Sequence, residues 1–158
     1  IVGKMVGRIK RPKPREGIQV KGESDMLIRF GNCCHPLPGE PVVGYITRGR
    51  GVTIHQKDCQ HVSHIDPDRL VDVSWQPTEE SLHVAALKVT TVDKKGILAE
   101  LSTVISQKDA NIIQADVKTT ADRKGISIFT IEVKNHAHLV EVLQAVKKVP
   151  NVLIVERL

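Results

Sequence analysis

The chain has 158 residues, of which 41% are hydrophobic and only 3% aromatic, and its formal net charge is +5. This length allows one medium domain or two small ones, and a core so poor in aromatic residues favours an α+β protein with thin sheets covered by helices on one face. No apolar run is long enough to cross a bilayer and no secretory leader is recognisable, so we expect a cytoplasmic protein without membrane contacts.

The cysteine content and the first residue bear on the origin of the chain. Three cysteines, two of them adjacent, exclude a closed disulfide framework and indicate a reducing compartment. The sequence begins with Ile1 instead of Met, which we interpret as a piece of a longer protein.

Residues 1–17 are predicted to be a basic arm or linker. Its cations are Lys4, Arg8, Lys10, Arg11, Lys13 and Arg15. Pro12 and Pro14 exclude a regular helix, because each removes a backbone donor and restricts the residue before it. The segment either lies along a polyanion such as RNA, with Lys10 and Arg11 among its contacts, or is a solvated linker held open by charge repulsion.

Residues 18–76 are predicted to form a small domain of short strands around a loop rich in Gly and Pro. Apolar alternation predicts strands at 42–47, 51–55 and 70–75. Residues 18–30 predict either two short strands, at 18–21 and 26–30, or one strand and a turn. The third and fourth strands form a hairpin with a basic tip at Arg48 and Arg50, and residues 57–63 predict a helical turn. Residues 77–81 are expected to be a linker and the hinge between two domains.

Residues 82–158 show the pattern of a second domain. Strands are predicted at 82–92, 111–119, 126–133 and 152–157, and helices with one apolar stripe each at 96–107 and 137–147. The order βαββαβ predicts a ferredoxin-like sheet of four antiparallel strands with both helices on one face. An exposed edge strand would allow side-by-side homodimers by continuing the sheet.

Four residues of the first domain form a candidate zinc site: Cys33, Cys34, His55 and Cys59. Three thiolates and one imidazole suit tetrahedral zinc, provided that the adjacent cysteines lie in a bend. One alternative is that they are small buried residues with free thiols. Another is a nucleophilic site in which Cys33 or Cys34 attacks with His35 or His55 as base, although no oxyanion-stabilising feature accompanies it.

Other polar residues suggest binding functions. Arg48 and Arg50 lie beside glycines, so their guanidinium groups can approach phosphates closely, and Lys57 adds a further cation. Asp93 precedes the first predicted helix and is expected to cap it, and the free N–H groups at that helix start can donate hydrogen bonds to the carboxylate of an amino acid. The alternative is that Asp93 and Gly96 serve only as cap and turn. His61 and His64 are expected on the surface, or as substitute ligands.

The sequence from Cys33 to Cys59 resembles the zinc-finger or ribosome-intersubunit domain found near the C-terminus of long RelA/SpoT-type stringent-response enzymes. Its most specific parts are Cys33-Cys34-His35-Pro36-Leu37-Pro38-Gly39-Glu40 and the hairpin that ends at His55. In that family this domain precedes an ACT domain, which residues 82–158 resemble. The resemblance implies a regulatory tail whose catalytic domains, in the parent chain, make and degrade (p)ppGpp.

The resemblance also implies ligands and partners. It places the metal ligands at Cys33, Cys34, His55 and Cys59, with a swap to His35 left open, and it implies contact with ribosomal RNA and uncharged tRNA. It implies an amino-acid site, often between two ACT domains, for a branched-chain amino acid. The residues of that site are Asp93, Gly96, Ile97, Leu98, Asn111 and Ile112. The alternative function is a stand-alone amino-acid-binding regulator with a structural zinc site, and in neither case do we expect a catalytic residue in this chain.

Overall fold

The computed structural model describes residues 17–22, 26–49, 51–76 and 81–158. The predicted basic arm with Lys10 and Arg11, the hairpin residue Arg50 and nearly all of the predicted linker lie outside these residues.

The first domain consists of two small sheets. Its strands are β1 (Ile18–Val20), β2 (Leu27–Phe30), β3 (Val42–Ile46), β4 (Gly51–Gln56), β5 (Leu70–Val71) and β6 (Val73–Trp75). One sheet has the order β2-β4-β3-β5, and the other pairs β1 with β6. The apolar side chains of β1 and β4 face each other between the sheets, where Ile18, Val20, Val52 and Ile54 are buried. The predicted hairpin of β3 and β4 is confirmed, and the two strands are antiparallel.

Two predictions for this domain need correction. The single closing strand at 70–75 is two strands, because the chain changes sheets at Asp72: β5 pairs with β3, and β6 pairs with β1. The carbonyl of Asp72 accepts a hydrogen bond of 3.1 Å from the Lys21 N–H, which marks the change. The helical turn predicted at 57–63 is shifted, since the 3₁₀ turns lie at Val62–His64 and Pro67–Arg69.

The second domain has the predicted βαββαβ order. Its elements are β7 (His83–Val92), α1 (Ile97–Gln107), β8 (Asn111–Thr119), β9 (Lys124–Val133), α2 (His136–Lys147) and β10 (Val152–Arg157). The sheet order is β10-β7-β9-β8 with every pair antiparallel, so the ferredoxin-like prediction is confirmed. Leu101 and Ile105 of α1 and Val142 of α2 are fully buried in its core. Neither helix is long and apolar enough to cross a membrane.

The two domains touch through the loop between β2 and β3. Leu37 of this loop is only 1% exposed and belongs to the same buried cluster as the core of the second domain. Trp75 lies beside the contact: its ring meets that of His83 edge to face, with 6.4 Å between centroids. The Trp75 Nε1–H donates to the Glu40 carbonyl at 2.9 Å. Residues of β6, β7 and this loop therefore converge at one place.

Candidate metal centre and flanking sites

The four predicted metal ligands lie together. Their Sγ and Nδ1 or Nε2 atoms are all within 4.8 Å of one another. The Cys33 Sγ is 3.3 Å from the His55 Nδ1 and 3.6 Å from the Cys59 Sγ, and the Cys34 Sγ is 3.7 Å from the same Nδ1. This cluster is able to hold a metal ion.

Three local features of the backbone bring the ligands together. Residues 32–34 form a turn after β2, which gives the adjacent cysteines the bend that they need to face one centre. His55 projects from β4 and is buried. Cys59 is placed by a tight turn in which its N–H donates to the Gln56 carbonyl at 3.0 Å. His55 therefore lies on a strand, and the turn after it, not a helix, aligns it with Cys59.

Gly31 provides the space for the His55 ring. A Cβ atom at this position would lie 2.7 Å from both Cε1 and Nδ1 of His55, closer than side chains approach each other. Gly31 is also tied to β4, because its N–H donates to the Ile54 carbonyl at 2.8 Å. Gly31, two residues before Cys33, is thus part of the site.

The thiols differ in acidity. Burial raises the pKa of the Cys34 thiol to about 12, and the nearby Cys33 adds to this effect although the Gln56 N–H opposes it. Burial and the hydrogen bond with Cys59 raise the pKa of Cys33. The pKa of Cys59 is lowered: burial acts to raise it, but the His61 N–H and the hydrogen bonds with the other two thiols outweigh that.

The imidazole is also biased towards its metal-binding form. Burial, followed by the charge of His61, lowers the pKa of His55. A neutral imidazole is the form that ligates a metal, whereas Cys33 and Cys34 hold their protons and must release them to a cation. A bound divalent ion would therefore compete with protons at these thiols.

The spacing of the ligand atoms fits tetrahedral zinc. Zinc–sulfur bonds of about 2.3 Å and zinc–nitrogen bonds of about 2.0 Å separate the ligand atoms of a tetrahedron by roughly 3.5 to 3.8 Å. Three of the six distances between ligand atoms, 3.3, 3.6 and 3.7 Å, are close to these values, and all six are within 4.8 Å. Three sulfur atoms and one nitrogen also form a common donor set of structural zinc sites.

The predicted RNA contacts are separate from one another. Arg48 is exposed at the turn end of the β3–β4 hairpin, and Lys57 is exposed just after β4, next to the metal cluster. The strand between them separates these cations by about 20 Å. The structure therefore does not bring Arg48 and Lys57 into one patch.

The predicted amino-acid site is divided. The loop before α1 is tied to the β8–β9 turn, since the Asp93 N–H donates to the Arg123 carbonyl at 2.9 Å. Asn111 pairs with Glu132 at the other end of the sheet, about 25 Å away along the strands. Gly96, Ile97 and Leu98 lie with Asp93, whereas Ile112 lies with Asn111. One chain alone does not gather these residues around one ligand.

The prediction that Asp93 caps α1 is wrong. The residue at the helix start is Gly96, with φ of 87° and no side chain to accept a hydrogen bond. A left-handed conformation costs a glycine little, so the chain enters the helix through a backbone turn at Gly96, without a side-chain cap. Ile97 and Ile112 pack against the domain core, while Leu98 is 41% exposed.

The sequence interpretation missed the contact between domains. Glu40 lies in an ion pair with Arg157 at the end of β10, and its carboxylate is 3.6 Å from the His136 Nε2. The Glu40 side chain is only 8% exposed. A signal was present in the sequence: Leu37 is an apolar residue between two prolines, within a loop that offers it no local core.

Comparisons with known proteins agree with this architecture. The RelA/SpoT RIS domain matches residues 18–76 and the ACT domain matches residues 79–157. A GTP pyrophosphokinase of Myxococcus xanthus is 37% identical over 155 residues, 98% of this chain and 20% of that protein. A GTP pyrophosphokinase of Streptomyces coelicolor is 38% identical over 96% of this chain and 18% of its own length.

Two further similarities concern a bifunctional relative and a solved structure. The bifunctional (p)ppGpp synthase/hydrolase RelA of Mycobacterium tuberculosis is 33% identical over 94% of this chain and 21% of that protein. The crystal structure of the ACT domain from the GTP pyrophosphokinase of Chlorobium tepidum is 29% identical over 49% of this chain and all of that one, with a TM-score of 0.45. The chain spans about a fifth of the length of the curated relatives it matches. It belongs to the RelA/SpoT family, in which it corresponds to a RIS domain followed by an ACT domain.

Proposed function

We propose that the chain is the non-catalytic regulatory module of a cytoplasmic (p)ppGpp synthetase/hydrolase of the stringent response. Its RIS domain docks on ribosomal RNA and uncharged tRNA, its ACT domain senses amino acids, and both bias catalytic domains of the parent chain. The observation that carries the proposal is that almost the whole chain, through two domains, matches about a fifth of the length of a GTP pyrophosphokinase.

The test compares the parent protein with a form that lacks residues 18–158. We expect both forms to synthesise (p)ppGpp in a basal assay, and only the intact form to respond to ribosomes carrying uncharged tRNA. The isolated chain is expected to neither make nor hydrolyse (p)ppGpp. Equal responses of the two parent forms to stalled ribosomes would remove the regulatory role.

The Cys/His cluster is proposed to hold one structural zinc ion through Cys33, Cys34, His55 and Cys59. When bound, zinc would fix the four side chains and neutralise the thiolates, and with four protein ligands it would leave no open position for catalysis. The proximity of the four donors, with three of their distances close to tetrahedral values, supports this role. Elemental analysis is expected to find one zinc per wild-type chain and less than about a tenth of that in Cys59→Ser.

The ACT domain is proposed to bind a branched-chain amino acid between two copies. The outer edge of β8 pairs with no described strand, and most of its residues are exposed. An antiparallel contact of two such edges, centred near Ala115, would place Asn111 of one copy beside Thr119 of the other. Asn111 and Ile112 of one copy would then approach the loop from Asp93 to Leu98 of its neighbour, which supports a site shared by two chains.

Calorimetry with valine, isoleucine and leucine tests the sensor role. We expect heat of binding for at least one of them, together with an increase in dimer measured by sedimentation. The matched variant is Val117→Lys, which adds a charge to the exposed edge of β8 and is expected to abolish both signals. Heats equal to buffer for all three amino acids would exclude this class of ligand.

A further inference from the structure

The loop that carries two of the metal ligands continues directly into the contact with the ACT domain. We name residues 35–40, which follow Cys34 without a gap, the docking loop. Leu37 is its apolar contact. It belongs to a hydrophobic cluster whose other buried members, among the residues that the structure describes, all lie between residues 85 and 149. The RIS domain thus contributes an integral side chain to the ACT core.

Polar contacts hold both ends of the docking loop to the ACT domain. Arg157 donates to the Glu40 carboxylate and, at 2.7 Å, to the His35 carbonyl. The His136 N–H, at the start of α2, donates to the Pro38 carbonyl at 2.9 Å. Because two of these acceptors are backbone carbonyls, the contact depends on the course of the loop as well as on its side chains.

The same loop is bonded to the metal cluster. The His35 N–H donates to the Gly31 carbonyl at 2.9 Å, which closes the turn that presents the two cysteines. Gln56 follows the ligand His55; its N–H donates to the Cys34 Sγ at 3.3 Å, and its side-chain amide donates to the Glu40 carboxylate at 2.9 Å. The turn that positions the thiols and the loop that binds the ACT domain therefore constrain each other.

A shared cleft reinforces this connection. It has a volume of about 610 Å³, and Cys33, Cys59, Glu40, His136 and Arg157 all line it. Movement of the ACT domain away from the RIS domain would remove one wall of the cleft that the metal ligands border. The metal ligands and the contact between the domains thus border the same cleft.

We propose that a divalent metal at the Cys/His cluster and attachment of the ACT domain to the RIS domain are thermodynamically coupled through the docking loop. Metal binding strengthens the attachment, and attachment raises the metal affinity by the same factor, because linkage is reciprocal. Through this coupling the metal site controls how rigidly the ACT domain is held. The inference rests on the proposed metal binding.

The first experiment measures metal affinity. Metal-free, reduced chain is titrated with Co²⁺, followed by thiolate-to-cobalt absorption, and Zn²⁺ affinity is obtained by competition. Arg157→Met removes the polar contact without touching a ligand, and we expect about tenfold weaker binding, within the usual range of coupling between sites. The matched control Lys124→Met removes a cation from an exposed ion pair at the β8–β9 turn, and its affinity is expected within about twofold of wild type.

The second experiment measures attachment in the unmodified chain, so it does not depend on how any variant folds. Hydrogen exchange of the His136 amide, which is bonded to the Pro38 carbonyl across the domain contact, is recorded with and without one equivalent of Zn²⁺. We expect about tenfold slower exchange with Zn²⁺. Amides in the middle of β9, which are bonded within the ACT sheet, serve as the internal control and are expected to change less than about twofold.

The outcomes separate this inference from the proposed metal site. If the wild-type chain takes up no stoichiometric Co²⁺ or Zn²⁺, the metal site itself is wrong. If metal binds but the His136 amide exchanges at the same rate with and without it, or folded Arg157→Met binds Co²⁺ as tightly as wild type, the coupling is overturned while the metal site stands. Weaker binding together with zinc-dependent protection supports the coupling.

Discussion

The Glu40 carboxylate accepts hydrogen bonds from three parts of the molecule: Leu37 of the docking loop, Gln56 at the end of β4, and Arg157 of β10. Burial acts to raise its pKa, but the hydrogen bonds from Arg157, the Leu37 N–H and Gln56 hold that pKa below its ordinary value of 4.5. A carboxylate with a lowered pKa stabilises the folded state above the ordinary value, and this stabilisation is lost as the pH falls through the lower, folded-state pKa. The contact between domains is therefore expected to weaken below about pH 4.5.

Glu40→Gln tests this expectation. Near neutral pH we expect the free energy of unfolding to fall by about 2 kcal/mol, because the half-buried guanidinium of Arg157 loses its counter-charge. Urea denaturation of the metal-free chain measures the difference, which should shrink towards zero in acid as the wild-type Glu40 takes up a proton. Asp109→Asn, in an exposed ion pair, is the control and is expected to change stability little. A difference that persists unchanged in acid would contradict the assignment.

Gly31→Ala tests the space around the His55 ring. The added Cβ would lie 2.7 Å from the ring, so either the imidazole or the loop must move away from the metal cluster. We expect Co²⁺ affinity to fall by at least about tenfold. Gly49→Ala is the matched control, since a Cβ there meets nothing within 4 Å, and its affinity is expected to equal that of wild type. An equal loss in both variants would show that the effect is not local.

Periodic elements of the ACT domain were predictable from the sequence to within about two residues. In α1 and α2 the apolar residues recur every three or four positions, and in β7 and β9 buried residues alternate with less buried ones, so each of these four elements buries one face. The predicted bounds of β8 and β10 coincide with those in the structure. Local pattern is sufficient where each element packs on a single face.

Shorter elements depended on contacts that local sequence does not encode. The division of residues 70–75 into β5 and β6 follows from their pairing with two different strands, and the residue type at position 72 does not predict it. The four members of the Cys/His cluster were recognisable by residue type, but their convergence requires the parallel pairing of β2 with β4. Arg157 binds Glu40 and His35, which lie 117 and 122 residues before it. Leu37 packs in a core whose other buried members lie at residues 85–149, so no periodic pattern could predict either role.

The β3–β4 hairpin yields a prediction about RNA. Replacing Arg48 and Lys57 together by Glu should weaken binding to ribosomal RNA and reduce the slope of log affinity against log salt by about 2, since each cation lost removes about one phosphate contact. Filter binding at several salt concentrations measures the slope. The double variant Lys118→Glu, Lys147→Glu makes the same charge change on the ACT domain, and an equal loss in it would indicate that net charge alone governs binding.

At the scale of the whole molecule, the RIS domain contributes the side chain of Leu37 to the core of the ACT domain. Leu37→Ala is expected to lower the free energy of unfolding by about 2 to 4 kcal/mol, because it leaves a cavity in the core of the ACT domain although residue 37 lies in the other domain. Calorimetry should then show two separated transitions in place of one. Leu27→Ala, at a position 57% exposed, is the matched control and is expected to cost less than about 0.5 kcal/mol.

Trp75 is the one tryptophan of the sequence, and it stands where the two domains meet. Its indole donates to the Glu40 carbonyl and touches the imidazole of His83 on the ACT side. Intrinsic fluorescence excited at the indole band therefore originates entirely from this joint. Separation of the domains can be followed in real time with unlabelled protein, by a shift in emission wavelength as water reaches the ring.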